Sequence, residues 1–235
     1  MNFAVVAQAF GRISPQNDLM DNGVALETLS PRFLTIFTDL SLRLCVVSYL
    51  SFLMSHYCES APGHPFHGPY HNGEYGFPVS DDNVLFERLV LEINQAGLSW
   101  LTILKKRDGF RDAYHQFDIA TVASYGESDR HRLLSDARII RNRLKVDAAI
   151  ANAQQILKIQ QSSGSFADWL DNHHPKSKAD WVKLFKQHFR FVGGEIVGEF
   201  LMSMGYLPGA HLESCPVYEA VAALNPPWMQ CEPRF

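Results

Sequence analysis

Cys58 and His71 stand 13 positions apart near one end of the cysteine- and histidine-bearing part of the chain. His211 and Cys215 form a His-x-x-x-Cys pair near the other, after a Leu-Pro-Gly turn. Thiolate and imidazole at such spacings can reach one ion, and two pairs would complete a tetrahedral Cys2His2 shell. The competing reading is two half-buried cysteines beside two surface histidines. A shell filled by four protein ligands has no position for an activated water, so a metal held there would tie chain ends together without being the catalyst.

A carboxylate is the next candidate. On a wheel of about 100° per residue, Leu85, Phe86, Leu89, Val90, Ile93 and Ala96 form one apolar face, and Glu92 falls at its rim beside Leu85. Either Glu92 reaches water or Arg88 one turn back, or it borders an apolar pocket and reads a polar, electron-poor ligand. Tyr70, Tyr75 and Trp100 are aromatics that could wall such a pocket, although each taken singly also suits a core. A fourth segment, Leu133 to Lys145, reads as helix, tight hairpin, helix. Asn142 can cap its second helix, and Arg141, Arg143 and Lys145 lie at the entrance, where unpaired backbone N–H groups and a positive dipole end suit a phosphate. The alternative there is a solvated basic face.

Positioning these groups falls to helices. Asp81, Asp82 and Asn83 are N-cap candidates for a helix over Val84 to Ala96 that stops at Gly97, and a second helix starts at Ser99. Further helical patterns cover about Asp108 to Phe117, Ser128 to Ala137, Asn142 to Gln161, Lys178 to Gln187 and Gly194 to Met204. Strand alternation and internal repeats are lacking, so the expected fold class is all-α.

The bulk numbers set limits. With 235 residues, 46% of them hydrophobic and 20% charged, the chain can build one good core. A formal net charge of -4 argues against coating nucleic acid by charge alone, so any DNA contact must be local. Four scattered cysteines do not make a secreted disulfide framework and no signal sequence opens the chain, which points to the cytoplasm. The apolar run from Phe33 to Met54 contains Asp39 and Arg43, and its uncharged part, 44 through 54, falls well short of the roughly 20 residues that span a bilayer. No membrane association is expected.

The run Leu91 to Asp118, L-E-I-N-Q-A-G-L-S-W-L-T-I-L-K-K-R-D-G-F-R-D-A-Y-H-Q-F-D, resembles the signature of the 3-methyladenine DNA glycosylase I family, a branch of the helix-hairpin-helix glycosylases. Tyr70-His71 followed by Glu74, Gly76 and Pro78, the hairpin I-I-R-N-R-x-K, and F-V-G (191 to 193) leading to His211 and Cys215 resemble other blocks of that family, so the likeness runs from Met54 to about Tyr218. It implies a structural zinc, one per chain, on Cys58, His71, His211 and Cys215. It also implies that Glu92 and Tyr70 hydrogen-bond an excised base, that Trp100 stacks on it with Tyr75 nearby, and that the hairpin residues Arg141, Asn142, Arg143 and Lys145 hold double-stranded alkylated DNA. The implied reaction is monofunctional hydrolysis of the N-glycosidic bond of 3-methyladenine, by a monomer with no obligate protein partner. A zinc-stapled damage-binding module without excision, or a zinc hydrolase, would be the alternatives.

Family members begin a few residues before the first zinc cysteine. Residues 1–53 are therefore expected to be an extension foreign to the fold, an upstream start being the explanation offered, and 54–235 the glycosylase domain. The sequence departs from the family pattern at Ser60 and Tyr75, where tryptophan is usual, at Arg138, where a glycine enters the hairpin, and in the Leu-Pro-Gly-Ala before His211.

Overall fold

The structure is a computed structural model that describes residues 56–230. The apolar run Phe33 to Met54, the boundary at 53/54 and Cys231 lie outside the described residues.

Among the described residues the secondary structure is helical throughout: α1 (Tyr57–Ser60), α2 (His67–Gly73), α3 (Asp82–Gln95), α4 (Trp100–Ala113), α5 (Ile119–Ala123), α6 (Glu127–Ser135), α7 (Arg143–Ser163), α8 (Phe166–His173), α9 (Lys178–His188), α10 (Gly194–Ser203) and α11 (Pro216–Ala223). Several starts are written in local chemistry. Asp81 accepts from the backbone N–H groups of Asn83 and Val84, Ser99 accepts from Thr102, and Asn142 accepts from Lys145, each satisfying a donor that the first helical turn leaves free.

Helix α3 is the axis of the domain. It packs against α4, α5, α7, α8 and α10, and every residue from Leu85 to Asn94 is buried, Glu87, Arg88, Glu92 and Asn94 included. The sequence wheel gives α3 one apolar face with Glu92 at its rim. The structure instead surrounds the helix, because neighbours cover its polar side as well. Around it lies a core built largely of aromatic rings, with Phe86, Phe110, Tyr114, Phe117, Phe166, Trp181, Phe185 and Phe200 fully buried.

One helical expectation is corrected. The pattern from Asp108 to Phe117 is not a separate helix: α4 runs through Asp108 to Ala113, and His115, Gln116 and Phe117 then turn with φ of 51°, 55° and 58°. This left-handed turn buries Phe117 against Phe86 and Tyr114, contacts that helical continuation would not give. The hairpin between α6 and α7 accommodates the departure at Arg138. Arg138 occupies the usual glycine position, and the small residue stands opposite it on α4: a Cβ on Gly109 would lie 2.7 Å from the Arg138 Cβ.

Candidate functional site: a Cys/His cluster beside an acidic aromatic pocket

Helix α2 carries Tyr70 and His71 side by side, and they face two different sites. His71, Cys58, His211 and Cys215 form the first. Their ligand atoms all lie within 4.8 Å of one another: Cys58 Sγ is 3.6 Å from His211 Nδ1, and Cys215 Sγ is 3.7 Å from His71 Nε2 and 3.8 Å from His211 Nδ1. Ligands on a tetrahedral zinc with bonds of about 2.0–2.3 Å are separated by about 3.3–3.8 Å, so the donor set and its spacing fit that ion. The outward imidazole nitrogens are also held. His71 Nδ1 lies 2.7 Å from Asn72 Oδ1, and His211 Nε2 lies 2.7 Å from the Tyr75 carbonyl oxygen, which leaves His71 Nε2 and His211 Nδ1 turned inward. Gly76 makes the second contact possible. At φ 83° it brings the loop so close that a Cβ would stand 2.8 Å from the Ala210 Cβ and 3.2 Å from His211 Cδ2.

Tyr70, Tyr75, Leu104 and Ala210, with Tyr57, Trp100 and Met202 packed on them, form the second site. The Tyr70 and Trp100 rings are 5.1 Å apart, Tyr70 and Tyr75 5.7 Å, and Tyr57 and Tyr75 5.4 Å. Glu92 belongs to this group. Its charge helps hold the phenols of Tyr57 and Tyr70 protonated, adding to the larger effect of burial. Glu92 is only 5% exposed, and among the described residues it forms no hydrogen bond or ion pair. Burial, and then the charge of Glu199, push its carboxyl well above the usual carboxylate range, against the opposing pull of Arg88.

Arg88 does not pair with Glu92. Its Nη1 donates to the Ser203 carbonyl at 2.5 Å and its Nη2 lies 3.9 Å from Glu74, while its buried Nε has no partner among the described residues. Glu74, of the Glu-x-Gly-x-Pro block, is occupied by Arg107, whose two Nη atoms reach its oxygens at 2.6 and 2.7 Å.

The structure therefore packs Tyr70, Tyr75 and Trp100 into one aromatic cluster, with Glu92 near enough for its charge to act on Tyr57 and Tyr70, and brings the four cysteine and histidine residues into a second cluster. The sequence reading missed Tyr57, Glu199 and Met202. Tyr57 is the second of the described residues, and its hydroxyl lies 2.9 Å from His67 Nδ1. Glu199 and Met202 sit on α10, more than a hundred positions from Tyr75 in the chain, with no local pattern that marks them.

The hairpin divides. Arg141 and Arg143 are exposed, although Arg143 lies 3.8 Å from Glu127 and 3.7 Å from Asp147. The Asn142 side chain is engaged as the cap of α7. Lys145 requires a correction: it is 4% exposed, and its Nζ donates to the carbonyls of Asn94 at 2.9 Å and Ala96 at 2.8 Å. It closes the C-terminal end of α3, where carbonyls lack intrahelical donors, and is not available at the entrance to meet a phosphate.

Residues 60–182 match the family model for methyladenine glycosylase. The chain belongs to the methyladenine glycosylase family. It is 39% identical over 173 residues to DNA-3-methyladenine glycosylase 1 of Escherichia coli (strain K12), a match covering 66% of this chain and 92% of that protein. A DNA-3-methyladenine glycosylase of Haemophilus influenzae is 36% identical over 166 residues, 63% of this chain and 89% of the relative. Among solved structures, 3-methyladenine DNA glycosylase I from Staphylococcus aureus aligns with a TM-score of 0.63 at 34% identity, over 68% of this chain and 95% of that one. A 3-methyladenine DNA glycosylase I in complex with 3-methyladenine aligns with a TM-score of 0.62 at 32% identity, over 68% of this chain and 96% of that chain.

Proposed function

We propose that this member of the methyladenine glycosylase family excises 3-methyladenine from alkylated double-stranded DNA by monofunctional hydrolysis, as the first step of base-excision repair. The observation that carries the reading is the meeting of Tyr70 and Trp100, with rings 5.1 Å apart, and the buried Glu92, whose charge acts on Tyr70 and which has no hydrogen-bond partner among the described residues. An extruded base needs a stacking surface and a few polar contacts to its edge. Methylation at N3 makes adenine a cation and weakens its bond to the sugar, so selection can supply much of the rate. Trp100 stacks on the electron-poor ring with Tyr75 bounding the pocket, while Glu92 and Tyr70 take its polar edge. Glu92 gains a hydrogen-bond partner and a counter-charge when the base enters, and water then replaces the base at the sugar.

Lys145, held by two carbonyls, is poorly placed as a Schiff-base nucleophile, which favours release of the base without strand cleavage. Arg141 and Arg143, at the N-terminal end of α7, hold the duplex backbone. Cys58, His71, His211 and Cys215 hold one structural zinc. With all four positions taken by protein, its part is to bind α1 and α2 to the segment ahead of α11, fixing Tyr70 and Tyr75 on the pocket wall. The enzyme acts in the cytoplasm as a monomer.

Methylated duplex DNA incubated with the purified chain should release free 3-methyladenine and leave intact strands carrying abasic sites. Tight binding without free base, where a positive-control enzyme releases it, would replace this reading with a damage-binding module.

A further inference from the structure

A second carboxylate, which the reading above does not use, is bonded to the aromatic cluster through Tyr75. Glu199 lies on α10, one turn before Met202 of the apolar lining, and its Oε2 accepts the hydroxyl of Tyr75 at 3.1 Å. Tyr75 in turn is 8% exposed and packs its ring against those of Tyr57 and Tyr70. Glu199 thus stands behind the Tyr75 phenol, and the cation whose field reaches it, Lys178 of α9, is itself bonded to Glu195 at 3.3 Å. Among the described residues neither Glu92 nor Glu199 forms an ion pair. Arg88, the cation whose field reaches Glu92, is directed to Ser203 and Glu74.

Two carboxyl groups so placed disfavour each other's charge, and aromatic walls in place of water sharpen the effect. Burial and the like charge of Glu195 also raise the Glu199 carboxyl, against the hydrogen bond from Tyr75 and the weaker pull of Lys178. An uncharged ligand leaves this imbalance as it is. A ligand bearing a fixed positive charge removes it.

We propose that Glu199 is a specificity-determining residue of the pocket: fixed by its bond to Tyr75, it supplies a second negative charge that selects a cationic alkylpurine over an uncharged one. The inference rests on the glycosylase reading. It assigns Glu199 a role through the field and through Tyr75, with Glu92 remaining the group that meets the base.

Calorimetric binding of two probes to the purified full chain tests it. One is 3,9-dimethyladeninium, a permanent cation in which a methyl replaces the sugar; the other is free 3-methyladenine at mildly alkaline pH, where it is uncharged. Glu199→Gln keeps an acceptor for Tyr75 and loses the charge, so it should weaken the cation about tenfold and change the uncharged base by less than about twofold. Glu199→Asp, which keeps the charge, should retain the preference. Equal weakening of both probes would make Glu199 a support for Tyr75 and overturn the proposal, as would an unchanged ratio in Glu199→Gln. Wild-type protein that releases 3-methyladenine from DNA while the Gln variant keeps the wild-type ratio sinks this proposal alone. Wild-type protein that binds neither probe and releases no base sinks the glycosylase reading and this inference with it.

Discussion

The Cys/His cluster and the acidic aromatic pocket share the stretch from Tyr70 to Gly76, yet they treat their polar atoms in opposite ways. In the cluster, thiol and imidazole groups face one another at 3.6–3.8 Å and the outward nitrogens are fixed by Asn72 and the Tyr75 carbonyl. In the pocket, Glu92 is buried with no partner among the described residues, and Glu199 has only the Tyr75 hydroxyl. A site whose protein groups satisfy one another's geometry suits a ligand that stays. One that leaves a buried carboxylate without a donor suits a ligand that arrives, is changed and departs, because stability is highest only while the ligand is present.

The largest break in that comparison should come from Cys215→Ser. Metal analysis should find about one zinc per chain in the wild type and none in the variant, and the melting temperature should fall by roughly 10 °C, since a loss of several kcal/mol moves a domain of this size by about 2–4 °C for each. Retained zinc would mean that another ligand serves, Cys231 being the first to examine.

Glu92→Gln should separate function from fold, lowering base release on the order of a hundredfold while the melting temperature holds. The pH dependence of stability sharpens the point. The folded carboxyl titrates above the unfolded value of about 4.3, so the folded state retains a proton that the unfolded state has lost. Wild-type stability contributed by this group is therefore fully present below that value and falls as pH rises toward the folded pKa. Glu92→Gln lacks this loss, and its melting temperature should gain on the wild type over the same interval. Parallel curves would place Glu92 in a solvated setting.

Lys145→Met should cost about 2 kcal/mol in denaturant unfolding by leaving the Asn94 and Ala96 carbonyls without their donor. Any weakening of DNA binding should follow from that loss. The smallest effect on fold belongs to Arg141→Ala, which should leave melting unchanged and reduce the salt dependence of DNA binding by about one phosphate contact. If Lys145→Met lowers the salt dependence while stability holds, the assignments of these two residues exchange.

Glu92 and Lys145 mark where reading along the chain succeeds and where it stops. The wheel singled out Glu92 because a carboxylate beside Leu85 is visible within two helical turns, but it put the group on a rim when the helix is enclosed. Lys145 sat among basic neighbours and read as one of them. Its ammonium is committed to carbonyls about fifty positions earlier in the chain, a distance over which no periodicity carries information.

The sequence by itself determined the helical class, the caps at Asp81, Ser99 and Asn142, the four cysteine and histidine positions and the family, because each depends on a local pattern or on blocks of residues in a fixed order. Tertiary structure alone decided that α3 is enclosed, that Tyr57 and Glu199 join the pocket, and that Gly109 makes room for Arg138. Those facts are distances between segments far apart in the chain, set by how helices pack, and packing is a property of surfaces brought together rather than of neighbours along a strand of residues.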